Sequence, residues 1–327
     1  MKTILLFLSV FLSANLFGQN VYIPDANFKA YLVGNSLINT NNDTEIQVSE
    51  ASSFDGWINC EYQNISDLTG IEAFTSLWQL SCSNNQLTSL DVSQNTALIY
   101  LGCSNNQLTI LDVSQNTALE TLRCSNNQLT SLDVSQNNAL ELLVCQNLAQ
   151  LTSINLNGAD ALVSLWCSAN QLTSLDVSQN TALIDLDCAL TLISRLDVSQ
   201  NPNLGEFTCQ GNLLTCLNVA NGNNSNLIAL GVENNPNLTC IEVDDANWAN
   251  ANWANPNGTY SGDPQMYFSE DCNNDCSSTS NLTELTTSKN LIQILDLMGR
   301  ETPFKPNTPL IYVYDDGSTE KVFSVEY

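Results

Sequence analysis

A segment of the chain aligns on itself with a period of 21 residues, and that regularity limits the fold more than any other feature. Three successive blocks read LWQLSCSNNQLTSLDVSQNTA from Leu77, LIYLGCSNNQLTILDVSQNTA from Leu98 and LETLRCSNNQLTSLDVSQNNA from Leu119. A less regular 22-residue block starts at Leu140, and two further regular blocks start at Leu162 and Leu183. The blocks from Leu204 and Leu227 are degenerate, and a partial block surrounds Cys60. A period of this size specifies a solenoid, whose coils bury apolar surface only by stacking on one another. Within one coil Leu77, Leu80, Cys82, Leu87, Leu90 and Val92 are the inward positions. Each coil is expected to hold two extended segments, one around the cysteine and one around DVS. Nine coils at about 4.8 Å each would span about 43 Å. Asn85, Asn106, Asn127, Asn170 and Asn212 should form one internal ladder, and Asn95, Asn116, Asn137, Asn180 and Asn201 another. Their amides can satisfy backbone groups at the coil corners.

The pattern LxxLxCxxNxL resembles the leucine-rich repeat, with cysteine at an inward apolar position, over roughly residues 57–247. It is similar to the short nested repeats of secreted bacterial surface proteins. The resemblance implies a mostly β fold: a leucine-rich repeat solenoid of about nine 21-residue coils with N- and C-terminal caps. A small β-rich C-terminal domain would follow it. The caps are expected at 20–56 and 248–276. Phe28, Tyr31 and Leu32 have helical spacing in the first, after a Pro24-Asp25 start suited to a first turn.

The ends carry export signals. Met1-Lys2, an apolar stretch from Ile4 to Leu16, and Gly18-Gln19 as a cut point read as a signal peptide over 1–19. No membrane span is expected in the mature chain. A linker at 277–280 precedes a tail at 281–327, which holds four of the seven basic residues left after cleavage. Three pieces resemble the type IX secretion sorting domain of Bacteroidota: Asp296–Glu301, a strand at Leu310–Tyr314, and Asp316-Gly317 followed by Lys321. The resemblance implies contact with that secretion machinery and a secreted or outer-surface location.

Composition removes several function classes. The 327 residues include no histidine and carry a formal charge of −26, with a pI near 4.1. Imidazole-based hydrolysis and His-ligated metal chemistry are excluded. Nucleic acid is not an expected partner, because phosphate binding requires clustered Lys and Arg. No cofactor or metal is expected. Of 12 cysteines, the eight at the repeat position (Cys60 to Cys209) read as small apolar core filler. Cys240 and Cys272 are candidates for a bridge that staples the C-terminal cap. Cys216–Cys240 and Cys272–Cys276 are alternative pairings.

The repeats provide their own comparison set. The second segment hardly varies outward, whereas the first varies freely. Trp78, Tyr100, Arg123, Trp166, Asp185 and Asp187 stand on that variable face, and several are side-chain types that anchor interfaces. A secreted or surface adhesion protein that binds a protein or glycan there is the expected function. Drift on an idle surface is the competing explanation for the variation. The alternative function is a carbohydrate-active enzyme with paired carboxylates among Asp185, Asp187 and Glu206. The Asp91, Asp112, Asp133, Asp176 and Asp197 ladder brings like charges together. Neighbouring Ser and Thr hydroxyls are expected to relieve the repulsion, with calcium bridging as the alternative. Asp271, Asn273 and Asp275 alternate like a fragment of a calcium loop.

Overall fold

In a computed structural model the described residues are 18–253, 260–273, 276, 291–295, 300, 302, 310–314 and 319–322. The chain divides into two units, 1–278 and 279–327. The first is a β-solenoid. Its main wall is a parallel sheet of ten three- or two-residue strands, from Trp57–Asn59 to Tyr260–Ser261. Nine of these strands mark eight complete turns through the repeats. The tenth, Tyr260–Ser261, comes from beyond the repeats and pairs with Ala229–Gly231.

The register explains the sequence pattern. Leu80, Leu101, Leu122, Leu143, Leu165, Leu186, Phe207 and Leu230 are aligned across the sheet and fully or almost fully buried. The residues on either side of each face outward, as strand alternation requires. The cysteine after each strand is buried, and all eight of these thiols are free. Burial pushes them well above the ordinary thiol value, Cys60 and Cys103 to about 12. They therefore act as compact apolar filler, not as thiolates.

Asparagine holds the corners. Asn106 Nδ2 donates to the carbonyls of Cys82 (3.1 Å) and Cys103 (3.0 Å), and its Oδ1 accepts from Leu87 N (3.0 Å). Asn127, Asn170, Asn212 and Asn235 repeat the arrangement. In the second ladder Asn116 Nδ2 donates to Val92 O (3.0 Å) and Asn95 O (2.9 Å), and Asn137 and Asn201 make the equivalent bonds from their own coils.

Of the two extended segments expected in each coil, the second is a paired strand in only part of the stack. Among the described residues, strands of the second wall pair at Ser131–Asp133 with Ser153–Asn155, and through Arg195–Asp197, Cys216–Asn218, Cys240–Glu242 and Tyr267–Ser269. Around Asp91, Asp112 and Asp176 there is no regular strand. Val92 and Val113 are buried there, but the residues flanking them are largely exposed. Water can satisfy the backbone on that side, so a continuous ladder is not required.

Helix α1 (Ala26–Val33) covers the first coil with the fully buried Phe28 and Leu32. Asp25 caps it through Asn27 N and Phe28 N, and the same carboxylate accepts from the backbone and hydroxyl of Ser66 (2.8 and 2.9 Å). One side chain thus starts the helix and joins it to the coil. Helix α2 (Val48–Ser53) follows. At the other end, helix α3 (Ala246–Asn252) is followed by the buried Trp253, which meets Trp248 and Phe268 edge-on. Disulfides join Cys216 to Cys276 and Cys240 to Cys272, with Cα separations of 5.3 and 5.9 Å. Neither Cys216–Cys240 nor Cys272–Cys276 forms.

In the second unit Leu291–Leu295, Leu310–Tyr314 and Thr319–Val322 make an antiparallel sheet with Leu310–Tyr314 central. The expected signal segment through residue 17, the linker at 277–280, Asp316-Gly317, and residues 296–301 apart from Arg300 lie outside the described residues.

Two measurements follow from this frame. At pH 8 the native protein should show no reactive thiol toward Ellman's reagent, and eight on unfolding without reductant. A second concerns the residue two after each repeat cysteine, which takes a left-handed conformation. Asn84, Asn105 and Asn126 tolerate it, but Ala169 sits there with φ 57°. Ala169→Gly should raise the denaturation free energy, and Asn105→Val should lower it, each by about 1 kcal/mol.

Candidate functional site

The outward residues of the main sheet form two columns. One contains Gln79, Tyr100, Thr121, Leu142, Ser164, Asp185 and Glu206; the other contains Ser81, Gly102, Arg123, Val144, Trp166, Asp187 and Thr208. Tyr100 and Asp185 therefore stand in the first column, and Arg123, Trp166 and Asp187 in the second. Trp78 lies one residue before its strand. It is 38% exposed, while the other five are half-buried.

The six residues do not converge on one point. Trp166, Asp185 and Asp187 are brought together on adjacent strands. Trp166 Nε1 donates to Asp185 Oδ2 at 2.5 Å. Asp187 Oδ2 accepts from Ser168 Oγ (2.6 Å) and Gln146 Nε2 (2.8 Å), and Asp187 Oδ1 accepts from Ala189 N (3.2 Å). Gln146 Nε2 also donates to Ser168 Oγ at 2.8 Å. The network holds an indole and two carboxylates in fixed positions on a half-buried surface. Such preorganisation lowers the entropic cost of meeting a partner. Arg123 lies two coils away, and Trp78 and Tyr100 stand on neighbouring coils nearer the N-terminus. Gly102 leaves room for the Tyr100 ring, whose Cε1 and Oη would lie 3.1 Å from a Cβ placed there.

Sequence reasoning misses Gln146 and Ser168. Gln146 occupies the position after the repeat cysteine, where Ser83, Ser104 and Ser125 stand in the regular coils. That departure, CQN for CSN, is the available signal. Ser168 keeps the repeat residue, so only the structure reveals its contact. A shallow depression of about 350 Å³ continues the face past Asp185, with Glu206, Thr208, Ala229 and Ser261 on its rim.

The opposite wall carries the larger cleft, about 780 Å³, lined by repeated Thr, Ser and Asp side chains. Each ladder aspartate accepts within its own coil, and Asp133 Oδ1 also accepts from Asn155 Nδ2 of the next coil at 3.2 Å. Asp91, Asp112, Asp133, Asp176 and Asp197 all accept from the backbone N–H of the serine two residues on, at 2.8–2.9 Å. These backbone bonds are the main restraint on the ladder and add to the hydroxyl contribution read from sequence. They hold Asp91, Asp112 and Asp133 below the ordinary carboxylate value, while the charges of Asp91 and Asp133 push Asp112 the other way. Among the described residues no three Asp, Glu, Cys or His side chains cluster to hold a metal ion. Asn273 N donates to Asp271 Oδ1 at 2.7 Å, and Asp275 lies outside the described residues.

No protein-family profile matches the chain. The chain is similar to internalin-like leucine-rich repeat proteins. It is 40% identical over 78 residues to Internalin J of Listeria monocytogenes serotype 4b (strain F2365). That match takes in 24% of this chain and 8% of the Listeria protein. Among solved structures, the functional domain of InlJ from L. monocytogenes, described as including a cysteine ladder, is similar at 26% identity and TM-score 0.40. The match covers 77% of this chain and 71% of that one. The internalin InlF of L. monocytogenes str. 4b F2365 is similar at 16% identity and TM-score 0.45, over 80% and 94% of the two chains.

A pH measurement tests the aspartate turns. A carboxylate held below its ordinary value, 3.8 for Asp, stabilises the fold above that value and loses the contribution as it protonates. The urea midpoint should therefore fall as pH drops from about 5 to about 2.5. Asp112→Asn should flatten that dependence.

Proposed function

We propose that this is a non-catalytic binding and adhesion protein, secreted or held at the outer cell surface. In this reading it engages a protein or glycan through the variable face of its main sheet. The observation that carries it is the contrast between the two walls. The second wall repeats its outward residues and ties each aspartate into a turn. The first keeps the same backbone register but changes its outward side chains at every coil. Trp78, Tyr100, Arg123 and Trp166 are side-chain types that concentrate binding energy. Asp185 and Asp187 fix the Trp166 region. The leucine-rich character shared with internalin-like proteins supports the same class of role.

The export features fit this assignment. Residues 1–19 act as a signal peptide, and the tail at 281–327 serves the type IX secretion machinery. Among the described residues no helix is long and apolar enough to cross a membrane. The carbohydrate-active reading is the weaker one, since Asp185 and Asp187 are taken up as acceptors for Trp166, Ser168 and Gln146.

A glycan array and a panel of purified surface and matrix proteins, probed with the full chain, test the proposal. A bound ligand should lose at least about tenfold in affinity on Trp166→Ala or Trp78→Ala. The melting temperature should stay within a few degrees. Binding insensitive to every substitution on this face would overturn the assignment of the face. Polysaccharide turnover abolished by Asp187→Asn would overturn the non-catalytic reading.

A further inference from the structure

The N-terminal cap contains a second feature, independent of the variable face. From the loop after α1 into the first turn of α2, side-chain oxygens recur at Asn39, Asn41, Asp43, Gln47 and Glu50. These are positions 1, 3, 5, 9 and 12 of a 12-residue loop, with the main chain of Glu45 at position 7. That is the ligand spacing of a helix–loop–helix calcium site.

The structure supports the spacing with matching geometry. Helix α2 begins at Val48, so Glu50 at position 12 lies in its first turn. Ile46, at position 8, is fully buried, and its carbonyl accepts from Val21 N at 2.8 Å. Val48 N donates to Gln19 O at 2.9 Å, closing an antiparallel bridge between Asn20 and Gln47. The middle of the loop is thereby pinned against a second segment. The side chains then converge: Asn41 Nδ2 lies 2.9 Å from Asp43 Oδ2 and 2.7 Å from Gln47 Oε1, and Gln47 Nε2 lies 3.0 Å from Asp43 Oδ2. They border a cavity of about 460 Å³ that Glu50 also lines.

Asn39 adds the separate indication of a ligand. It is 2% exposed, and its Nδ2 donates to Val33 O (3.0 Å) and to Asp43 O within the loop (2.9 Å). The amide head is therefore held between the end of α1 and the loop, and its Oδ1 has no hydrogen-bond partner. Asn95, Asn116, Asn137 and Asn201 share that state at the coil corners, but the amide of Asn39 is bonded to the loop that carries the other side-chain oxygens. Its Oδ1 is also the first-position oxygen of the calcium pattern.

The donor set consists only of hard oxygens, with no sulfur or imidazole, and its two carboxylates balance one divalent cation. Glu45 pairs with Lys29 at 2.6 Å and contributes through its main chain alone. Two departures weaken the site. Thr44 replaces the usual glycine at position 6. Glu50 Oε1 already accepts from Thr40 N, Thr40 Oγ1 and Asn41 N, and Oε2 from Gln47 N.

From this geometry we propose that residues 39–50 form a low-affinity calcium site in the N-terminal cap. Asn39, Asn41, Asp43, Gln47, Glu50 and the Glu45 carbonyl supply its oxygens. With two carboxylates the dissociation constant should fall at about 0.1–1 mM, the range of extracellular modules.

Equilibrium dialysis of the full chain against radioactive calcium, with thermal melts in calcium or magnesium chloride, tests the site. Saturable binding in that range is expected, with a melting temperature raised by calcium more than by magnesium. Asp43→Asn should weaken binding at least about tenfold while leaving the circular-dichroism spectrum unchanged. Glu50→Gln should do the same where it folds. Asp43→Asn decides the matter if loss of the Glu50 acceptors prevents folding. No saturable binding up to about 10 mM, or an unchanged dissociation constant in Asp43→Asn, would overturn the site.

Discussion

The side-chain amide of asparagine, bridging carbonyls of successive coils, is the interaction on which the rest of this structure depends. A 21-residue coil must turn sharply, and its corners carry backbone groups that no regular ladder reaches. Asn106 connects two successive coils through two donated bonds and one accepted bond. An unpaired buried carbonyl costs about 1–3 kcal/mol, so each ladder position offsets a penalty that would otherwise recur at every turn. The second ladder is less complete. Asn95, Asn116, Asn137 and Asn201 donate twice each, yet their Oδ1 atoms have no partner. Two satisfied carbonyls outweigh one orphaned acceptor, so the net effect still favours the corner.

Because the corners and the inward Leu and Cys positions define the coil, the outward residues of the main sheet are free of structural duty. Substitution at Tyr100 or Trp166 leaves the stacking of Leu101 or Leu165 untouched. Exceptions in the frame are absorbed locally. At position 191 threonine replaces asparagine, and its hydroxyl bonds to Cys188 O and to the amide oxygen of Asn212. At position 148 leucine replaces it, and Leu148 N donates instead to Asn170 Oδ1 at 2.8 Å. The same irregular coil supplies Gln146, the residue that ties Asp187 into the Trp166 region.

What could be read from the sequence followed periodicity. The solenoid, the inward cysteines and both asparagine ladders repeat every coil, so each copy reinforces the reading of the others. Three features escaped it for physical reasons. The incomplete second wall depends on access of water to its backbone, which residue identity at Ser89 or Asp91 does not encode. The contacts of Gln146 and Ser168 with Asp187 span 41 and 19 residues and occur once. The Asn39–Glu50 spacing is present in the chain, but amides fill three of its five side-chain positions. It does not stand out as a carboxylate cluster until the helix limits and the bridge at Gln47 are known.

The two ends of the stack resolve a common problem by different chemistry. An array whose coils contact only their neighbours leaves one apolar face uncovered at each terminus. At the N-terminus Phe28 and Leu32 cover it, and Asp25 joins helix α1 to Ser66 through one carboxylate. At the C-terminus Trp253 and Phe268 cover it, and two disulfides hold the covering segment across 60 and 32 residues of chain. Crosslinks suit that end because the last coils are the degenerate ones, with Gly205 where the regular blocks place larger side chains such as Trp78 and Ile99. Closing loops of that length removes several kcal/mol of unfolded-state freedom in the chain-entropy description. The free thiols of the interior cannot serve this purpose. Stacked in parallel, they fill the core without bridging it, and covalent reinforcement is confined to the end where the repeat itself fails.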